Sequence, residues 1–285
     1  MKNIVIAILV SAAVAYAVVR LAVPSTQISV VKETAYERVM RIRTLRCGYV
    51  VYPPMLEKDA NTGKFSGIGY DIVTRIGEVA NLKIEWAVET NWPTYPQDLE
   101  DNKFDAMCTL DFFPPILVGR VEPTQPLFLT TMGVYKRAGE ARFPEGFRAF
   151  DDPAIKLSAM DGSISMILRN SDYPKAQLFS IPAGSDYSTI LENVASGKAD
   201  VAFVERAVAN RYIKSNPGKI EDVTGPVPLV SYPYILPVRH GDVQLASLFS
   251  QAIFLMQLKG EIEKSLTQHA PGDYLAPDIY RSYKP

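Results

Sequence analysis

Two stretches of this chain repeat one pattern: "DNKFDAMCTLD" at residues 101–111 and "SGKADVAFVER" at residues 196–206. Each passes from a helical end through Asn or Gly, then Lys, then Asp, into an apolar run that closes on a carboxylate, Asp111 in the first and Glu205 in the second. Lys and Asp decorate helix-to-strand turns for local reasons, so the surroundings decide what the echo means. Ahead of the first copy run a strand ("TLRCGYVVY"), a turn at Tyr52–Pro53–Pro54, and a helix ("GYDIVTRIGEVANL") with Ile72, Ile76, Val79 and Ala80 on one face. A second strand ("KIEWAVE") and a short helix ("YPQDLEDN") complete that unit. Ahead of the second copy run "AIKLSAM", "DGSISMILRN", "AQLFSIP" and "SDYSTILENVAS", again strand, helix, strand, helix. Strands alternating with helices predict parallel α/β sheets. The expected fold class is therefore α/β with two lobes, each a mostly parallel sheet flanked by helices. A cleft lies between the carboxyl ends of their strands, where such sheets take ligands.

The N-terminus sets the compartment. Residues 4–19, "IVIAILVSAAVAYAVV", carry no charge and are followed by Arg20. They fit a secretory signal with a cleavage site at Ala15–Tyr16–Ala17, or an uncleaved anchor over residues 4–23, the ~20 residues a bilayer needs. With Lys2 holding the start inside, both place the rest outside the cytoplasm, periplasmic or otherwise extracytoplasmic. Cys47 and Cys108 can pair in such a compartment or stand as two buried thiols; sequence alone leaves both open.

Composition removes other classes. A net charge of -1 gives nucleic acid no electrostatic footing. His240 and His269 stand in no metal-ligand spacing, and no GxxxxGK[ST], GxSxG or CxxC occurs. No cofactor and no metal are expected.

An ordered series of segments, "LRCGYVVYPPM", "FSGIGYDIVTRIGEVANLKIEW", "NWPTYPQDLEDNKFDAM", "RVEPTQPLF", "MDGSIS", "LENVASGKADVAFVE" and "GEIEKSL", resembles the extracytoplasmic solute-binding proteins of ABC importers, of type II topology and the polar amino-acid-binding subclass. The resemblance spans roughly residues 40 to 270. It implies two lobes that close on a small solute and pass it to a membrane permease, acting as a monomer without catalysis. It also implies ligand contacts. Tyr52 would stack on the ligand, Thr109 would contact its carboxylate or amine, and Ser163 and Ser165 would offer a helix entry to a carboxylate, unless they simply cap the helix. Glu205 would receive an ammonium group; a surface ion pair with Arg206 is the plainer alternative, but strand neighbours point to opposite sides. Trp92 matches an aromatic that packs the lobe edge. The sequence departs from the family at one point. Where its amino-acid binders place a carboxylate-pairing Arg, Leu117 or Val118 stands, and the nearest Arg is Arg120. Asp111 would then add a second acid and favour a cationic or polyhydroxyl solute.

The expected division is a signal or anchor over 1–24, a polar tether over 25–38, lobe 1 over 39–128 and 234–285, and lobe 2 over 129–233. Hinge strands would lie near Leu129–Met132 and Val230–Tyr234. The leading function is capture of a small polar solute, an amino acid or related amine. Two rivals share the scaffold: a periplasmic dehydratase of the cyclohexadienyl dehydratase kind, with Glu205 or Asp111 as its acid, and a membrane-tethered sensor module that signals through a separate partner.

Overall fold

The computed structural model describes residues 33–142, 150–225 and 228–275. The apolar segment at 4–23 lies outside them, and among the described residues no helix is long and apolar enough to cross a membrane. The tether expected over 25–38 ends early, because helix α1 (Ala35–Ile42) begins within it. Thr34 Oγ1 accepts the Glu37 N–H at 3.1 Å and Glu37 Oε2 accepts the Thr34 N–H at 2.9 Å. This capping box satisfies two free donors at the helix start, and T-x-x-E supplies it without a long apolar period.

The first unit then runs β1 (Thr44–Tyr49), a small hairpin of β2 (Glu57–Lys58) and β3 (Phe65–Ser66), α2 (Ile68–Ala80), β4 (Lys83–Glu89), α3 (Tyr95–Glu100) and β5 (Ala106–Met107). Helix α2 buries Ile68, Ile72, Val73 and Ile76, while Val79, expected on that face, is exposed. Short strands β6 (Asp111–Phe112) and β7 (Val121–Glu122) lead to the long β8 (Phe128–Arg137). The second unit follows as β9 (Lys156–Met160), α4 (Ile164–Asp172), β10 (Gln177–Ile181), α5 (Ser188–Ala195), β11 (Val201–Glu205) and α6 (Arg206–Ser215). The chain returns through β12 (Ile220–Asp222), β13 (Val230–Ile235) and β14 (Val238–Arg239), and closes with α7 (Val243–Leu258) and α8 (Glu261–His269).

The strands form two main sheets of matching plan. One has the order β4-β1-β5-β14-β7, the other β10-β9-β11-β8-β13-β6 with β12 also paired to β8. In each, a central strand pairs in parallel on both sides, β1 with β4 and β5, β9 with β10 and β11. The next strand out is antiparallel, β14 in one and β8 in the other.

The repeated motif is the hinge of this symmetry. Asn102 and Gly197 both take left-handed backbone, φ 58° and 78°, and turn the chain from helix to strand. The Asp105 N–H then donates to the Arg46 carbonyl at 2.8 Å, while its carboxylate accepts the Arg46 N–H at 2.8 Å. Asp200 does the same with Lys156, at 2.8 Å in each direction. In both lobes the aspartate clamps the edge of the central strand to the incoming one. The motif is thus structural in both copies as far as its aspartate.

Two further contacts position the cleft. Cys47 of β1 and Cys108, just past β5, form a disulfide with Cα atoms 5.3 Å apart. Closing a loop of that size limits the unfolded chain by about 4 kcal/mol in the loop-entropy account. Strand β6 leaves the first unit and pairs with β13 in the second sheet, Ile235 opposite Asp111 and Tyr234 opposite Phe112. That pairing brings Asp111 into the sheet that carries Glu205.

The two aspartates differ in what they hold. Asp105 is almost fully buried and pairs with both Arg38 and Arg46, whereas Asp200 pairs with the exposed Arg142. Asp105→Ala is expected to lower the unfolding free energy by about 3 kcal/mol, since it strands buried donors. Asp200→Ala should cost about 1 kcal/mol. Urea titration checks this, and equal losses would refute the assignment of Asp105 as the deeper clamp.

Candidate functional site

Glu205 ends β11 at 1% exposure. A carboxylate taken that far from water must be matched by donors, and three hydroxyls supply them. Thr130 of β8 donates to Oε1 at 2.5 Å, Tyr52 donates to Oε2 at 2.7 Å, and the Tyr234 hydroxyl lies 3.0 and 3.2 Å from the two oxygens. The Tyr274 hydroxyl is buried beside them and faces the carboxylate without reaching hydrogen-bond geometry. Burial pushes the Glu205 carboxyl up, and the hydroxyls pull it partly back. Burial and the same carboxylate raise the phenols of Tyr52 and Tyr234. Arg206 starts α6 and pairs with Asp222 at 3.7 Å, so a local ion pair does not account for Glu205.

Asp111 is also buried. Tyr95 donates to its Oδ2 at 2.8 Å. Burial lifts its carboxyl to about 8, the Tyr95 and Phe112 donors oppose that rise, and the negative Glu205 adds to it. Asp111 lines a narrow cavity of about 50 Å³ walled by Tyr52, Trp92, Tyr95, Leu117 and Tyr187, with Ser163 at its edge. Rings meet edge to face here, Tyr52 with Trp92 at 5.5 Å and with Tyr187 at 5.1 Å between centroids. Burial raises the Tyr187 phenol to about 12. On the far side of Tyr52 a wider opening of about 700 Å³ lies between Glu89–Trp92 and the residues around α5 and α6. Across the same seam Arg211 binds Glu57 at 2.5 Å. Gly162 meets Pro93 so closely that a Cβ there would fall 2.4 Å from the Pro93 ring, and its φ of 74° favours glycine as well.

Of the residues named from sequence, Tyr52, Asp111 and Glu205 converge. Ser163 reaches the cavity while capping α4 by accepting the Met166 N–H at 3.5 Å. Ser165 lies deeper and donates to the Phe203 carbonyl at 2.5 Å, fastening α4 to β11. Thr109 is fully buried and lines neither cavity; its hydroxyl donates to the Val50 carbonyl at 2.7 Å and accepts the Val50 N–H at 2.8 Å. Arg120 is exposed and lines neither cavity, while Leu117 takes a place in the wall. Trp92, expected at the lobe edge, lines both cavities. Thr130, Tyr234, Tyr95 and Tyr187 were not foreseen. "SYPYILP" offered a hint, since a strand that alternates buried tyrosine with proline has a polar tip to satisfy. Among the described residues no group of three or more His, Cys, Asp and Glu is placed to hold a metal ion.

The profile of the bacterial extracellular solute-binding proteins, family 3, matches residues 45–271. The chain belongs to that family. No curated protein matches it in sequence. Solved structures with a similar fold include an ancestral amino acid-binding protein, a precursor of cyclohexadienyl dehydratase, at TM-score 0.73 and 22% identity, covering 84% of this chain and 100% of that one. A periplasmic His/Glu/Gln/Arg/opine family-binding protein from Silicibacter pomeroyi, in complex with lysine, gives 0.69 at 18% identity over 82% and 100%. A solute receptor for L-cysteine of Neisseria gonorrhoeae gives 0.70 at 16% identity over 84% and 98%. The two-sheet plan above is thus the type II two-lobe fold of these binding proteins.

The raised Asp111 carboxyl makes folding pH-dependent. Between the unfolded value, about 4, and about 8 the native state holds a proton that the unfolded chain has lost. Stability from this group is therefore full below pH 4, falls as pH rises, and is lost above pH 8. Melting temperatures taken from pH 5 to pH 8.5 should decline in the native protein and decline less in Asp111→Asn, where the raised Glu205 carboxyl still contributes a slope of the same sign. An equal decline in both would remove Asp111 as the cause.

Proposed function

We propose that this family 3 solute-binding protein captures a small polar solute between two closing lobes outside the cytoplasm and delivers it, as a monomer, to an ABC permease. The observation that carries this reading is the Tyr52–Glu205 hydrogen bond. It joins the turn after β1 to the end of β11, so one buried acid receives groups from both lobes. Lobes that meet on an acid close more tightly when a solute's donors add to that meeting. We place the crossings in β8 and β13, which pair antiparallel from Val230–Met132 to Tyr234–Phe128 and thread between the two units. Thr130 and Tyr234 sit on those strands, so rotation about them would be felt at Glu205. Tyr52, Asp111, Glu205 and Ser163 are the ligand contacts we favour, with Trp92 and Tyr187 as aromatic walls. The names of the similar structures, bound to arginine or lysine, support an amino acid as solute.

One observation favours catalysis instead. A carboxyl titrating near 8 in a cleft can serve as a general acid. Against it, among the described residues no Lys or Arg lines the Asp111 cavity, so a dianionic substrate such as prephenate would enter without a counter-charge.

A thermal-shift screen of amino acids, amines, sugars and organic acids tests the proposal. A ligand at a hundred times its Kd should add ~2.7 kcal/mol of stability. Glu205→Gln should weaken binding of that ligand by at least about tenfold while the ligand-free protein keeps its fold by circular dichroism. Turnover of prephenate without any stabilising solute would overturn the binding reading.

A further inference from the structure

Two buried carboxyl groups lie in one sheet, Asp111 lining the narrow cavity and Glu205 reached through the Tyr52 hydroxyl, and among the described residues no Lys or Arg is hydrogen-bonded to either. Glu205 accepts only hydroxyl donors in the contacts described above, and Asp111 accepts the Tyr95 phenol and the Phe112 N–H. The rest of the lining of the Asp111 cavity is largely apolar or aromatic, with Ile116, Leu117, Ile164, Ile167, Trp92 and Tyr187 among it. The Tyr274 hydroxyl, 7% exposed, points at Glu205 and lacks a hydrogen-bond partner of its own. An α-amino acid brings a carboxylate as well as an ammonium. Among the described residues no Lys or Arg lines this cavity, and Arg120, whose charge is felt at Tyr95, is exposed, so that carboxylate would be buried beside the acids without a lining cation, a cost of several kcal/mol. The basic side chain at the mouth, Arg211, is already bound to Glu57 across the seam. The hydroxyls of Ser163 and the free N–H groups at the α4 entry are dipoles, not compensating charges.

We infer that the solute is an organic cation without a carboxylate, a primary amine or guanidine on an apolar stem, held by Asp111 and Glu205 and flanked by the rings of Trp92, Tyr52 and Tyr187. This rests on the binding reading above and narrows its ligand. The head group supplies the positive charge both acids lack, and the rings give it cation–π faces. The stem meets Leu117 and Ile164, where a polar tail would lose its water unpaired. The Asp111 proton leaves as the cation arrives, because an adjacent positive charge favours the ionised carboxyl.

Calorimetry with matched pairs on the purified full chain separates these terms. Agmatine is arginine without its carboxylate, and cadaverine is lysine without its own. 1,5-Pentanediol keeps the length of cadaverine and drops the charge. The decarboxylated member of at least one pair should bind about tenfold or more tightly than its amino acid, and the diol should not bind. Titrations at pH 7 in buffers of different ionisation enthalpy should show proton release on amine binding, lost in Asp111→Asn. If arginine or lysine binds as well as or better than its amine, the inference fails while the binding-protein reading stands. If the diol binds as well as cadaverine, charge is not what is recognised and the inference fails. If no amine and no amino acid binds, the inference fails, while the binding-protein reading is decided by the sugars and organic acids of the wider thermal-shift screen.

Discussion

The cleft is organised around one interaction that water would ordinarily prevent, a carboxylate of 1% exposure satisfied by hydroxyls from three chain segments. Tyr52 comes from the turn after the first strand, Thr130 from β8 and Tyr234 from β13. Burying Glu205 ionised without them would leave an unpaired charge out of water, at a cost of several kcal/mol. With them, the acid fixes the relation of the two crossing strands to each other and to the opposite lobe. Phe128 stacks on Tyr234 with ring centroids 4.8 Å apart, and Tyr274 meets both rings edge to face, so the polar tips are held by an apolar scaffold. The buried acid and the packing of the strands around it therefore depend on the same side chains.

The plan of the fold was legible because it is written twice. Asn102 and Gly197 turn the chain by left-handed backbone, and Asp105 and Asp200 return to the strand they follow by the same pair of 2.8 Å bonds. Those are local consequences of residue type, so they survive as a motif. The capping box at Thr34–Glu37 was equally local and equally readable, yet it sat inside a polar stretch with no sustained apolar period and was taken for tether. Val79 shows the limit of periodicity, since a helix of 13 residues can rotate its buried face by one position and keep the same pattern.

The site was only half legible. Glu205 and Asp111 could be singled out because an acid at the end of an apolar strand has no local excuse. Thr109 and Ser165 could not be told apart from ligand contacts, because their hydroxyls are taken by backbone carbonyls distant in sequence, Thr109 by Val50 and Ser165 by Phe203, while Arg120 stays at the surface. Which hydroxyls reach the acids instead depends on β6 crossing to β13 and on β13 lying along β8, contacts far apart in sequence. Tyr234 and Thr130 are ordinary strand residues until that pairing places them. Tyr95 looks like the start of a short helix until its phenol meets Asp111.

The hydroxyl cage also sets how a ligand must act. A hydrogen bond to a charged group is worth roughly 1.5–3 kcal/mol, so Tyr52 on Glu205 is a substantial link between the turn after β1 and the end of β11, whereas the exposed Arg211–Glu57 pair adds only ~0–1 kcal/mol. On the binding reading proposed above, a solute would enter with the lobes apart, where Tyr52 is free, and replace its hydroxyl at Glu205 or share the acid with it. If that open form is a fraction of the population, the apparent affinity falls by that fraction. A neutral solute can offer Glu205 nothing that the tyrosines do not already provide. A cation can, because it adds a charge to an acid that otherwise has only dipoles, and it restores the ionised form of Asp111 beside it. On that binding reading, the Tyr52–Glu205 contact favours a solute whose charge exceeds what the site's own hydroxyls supply.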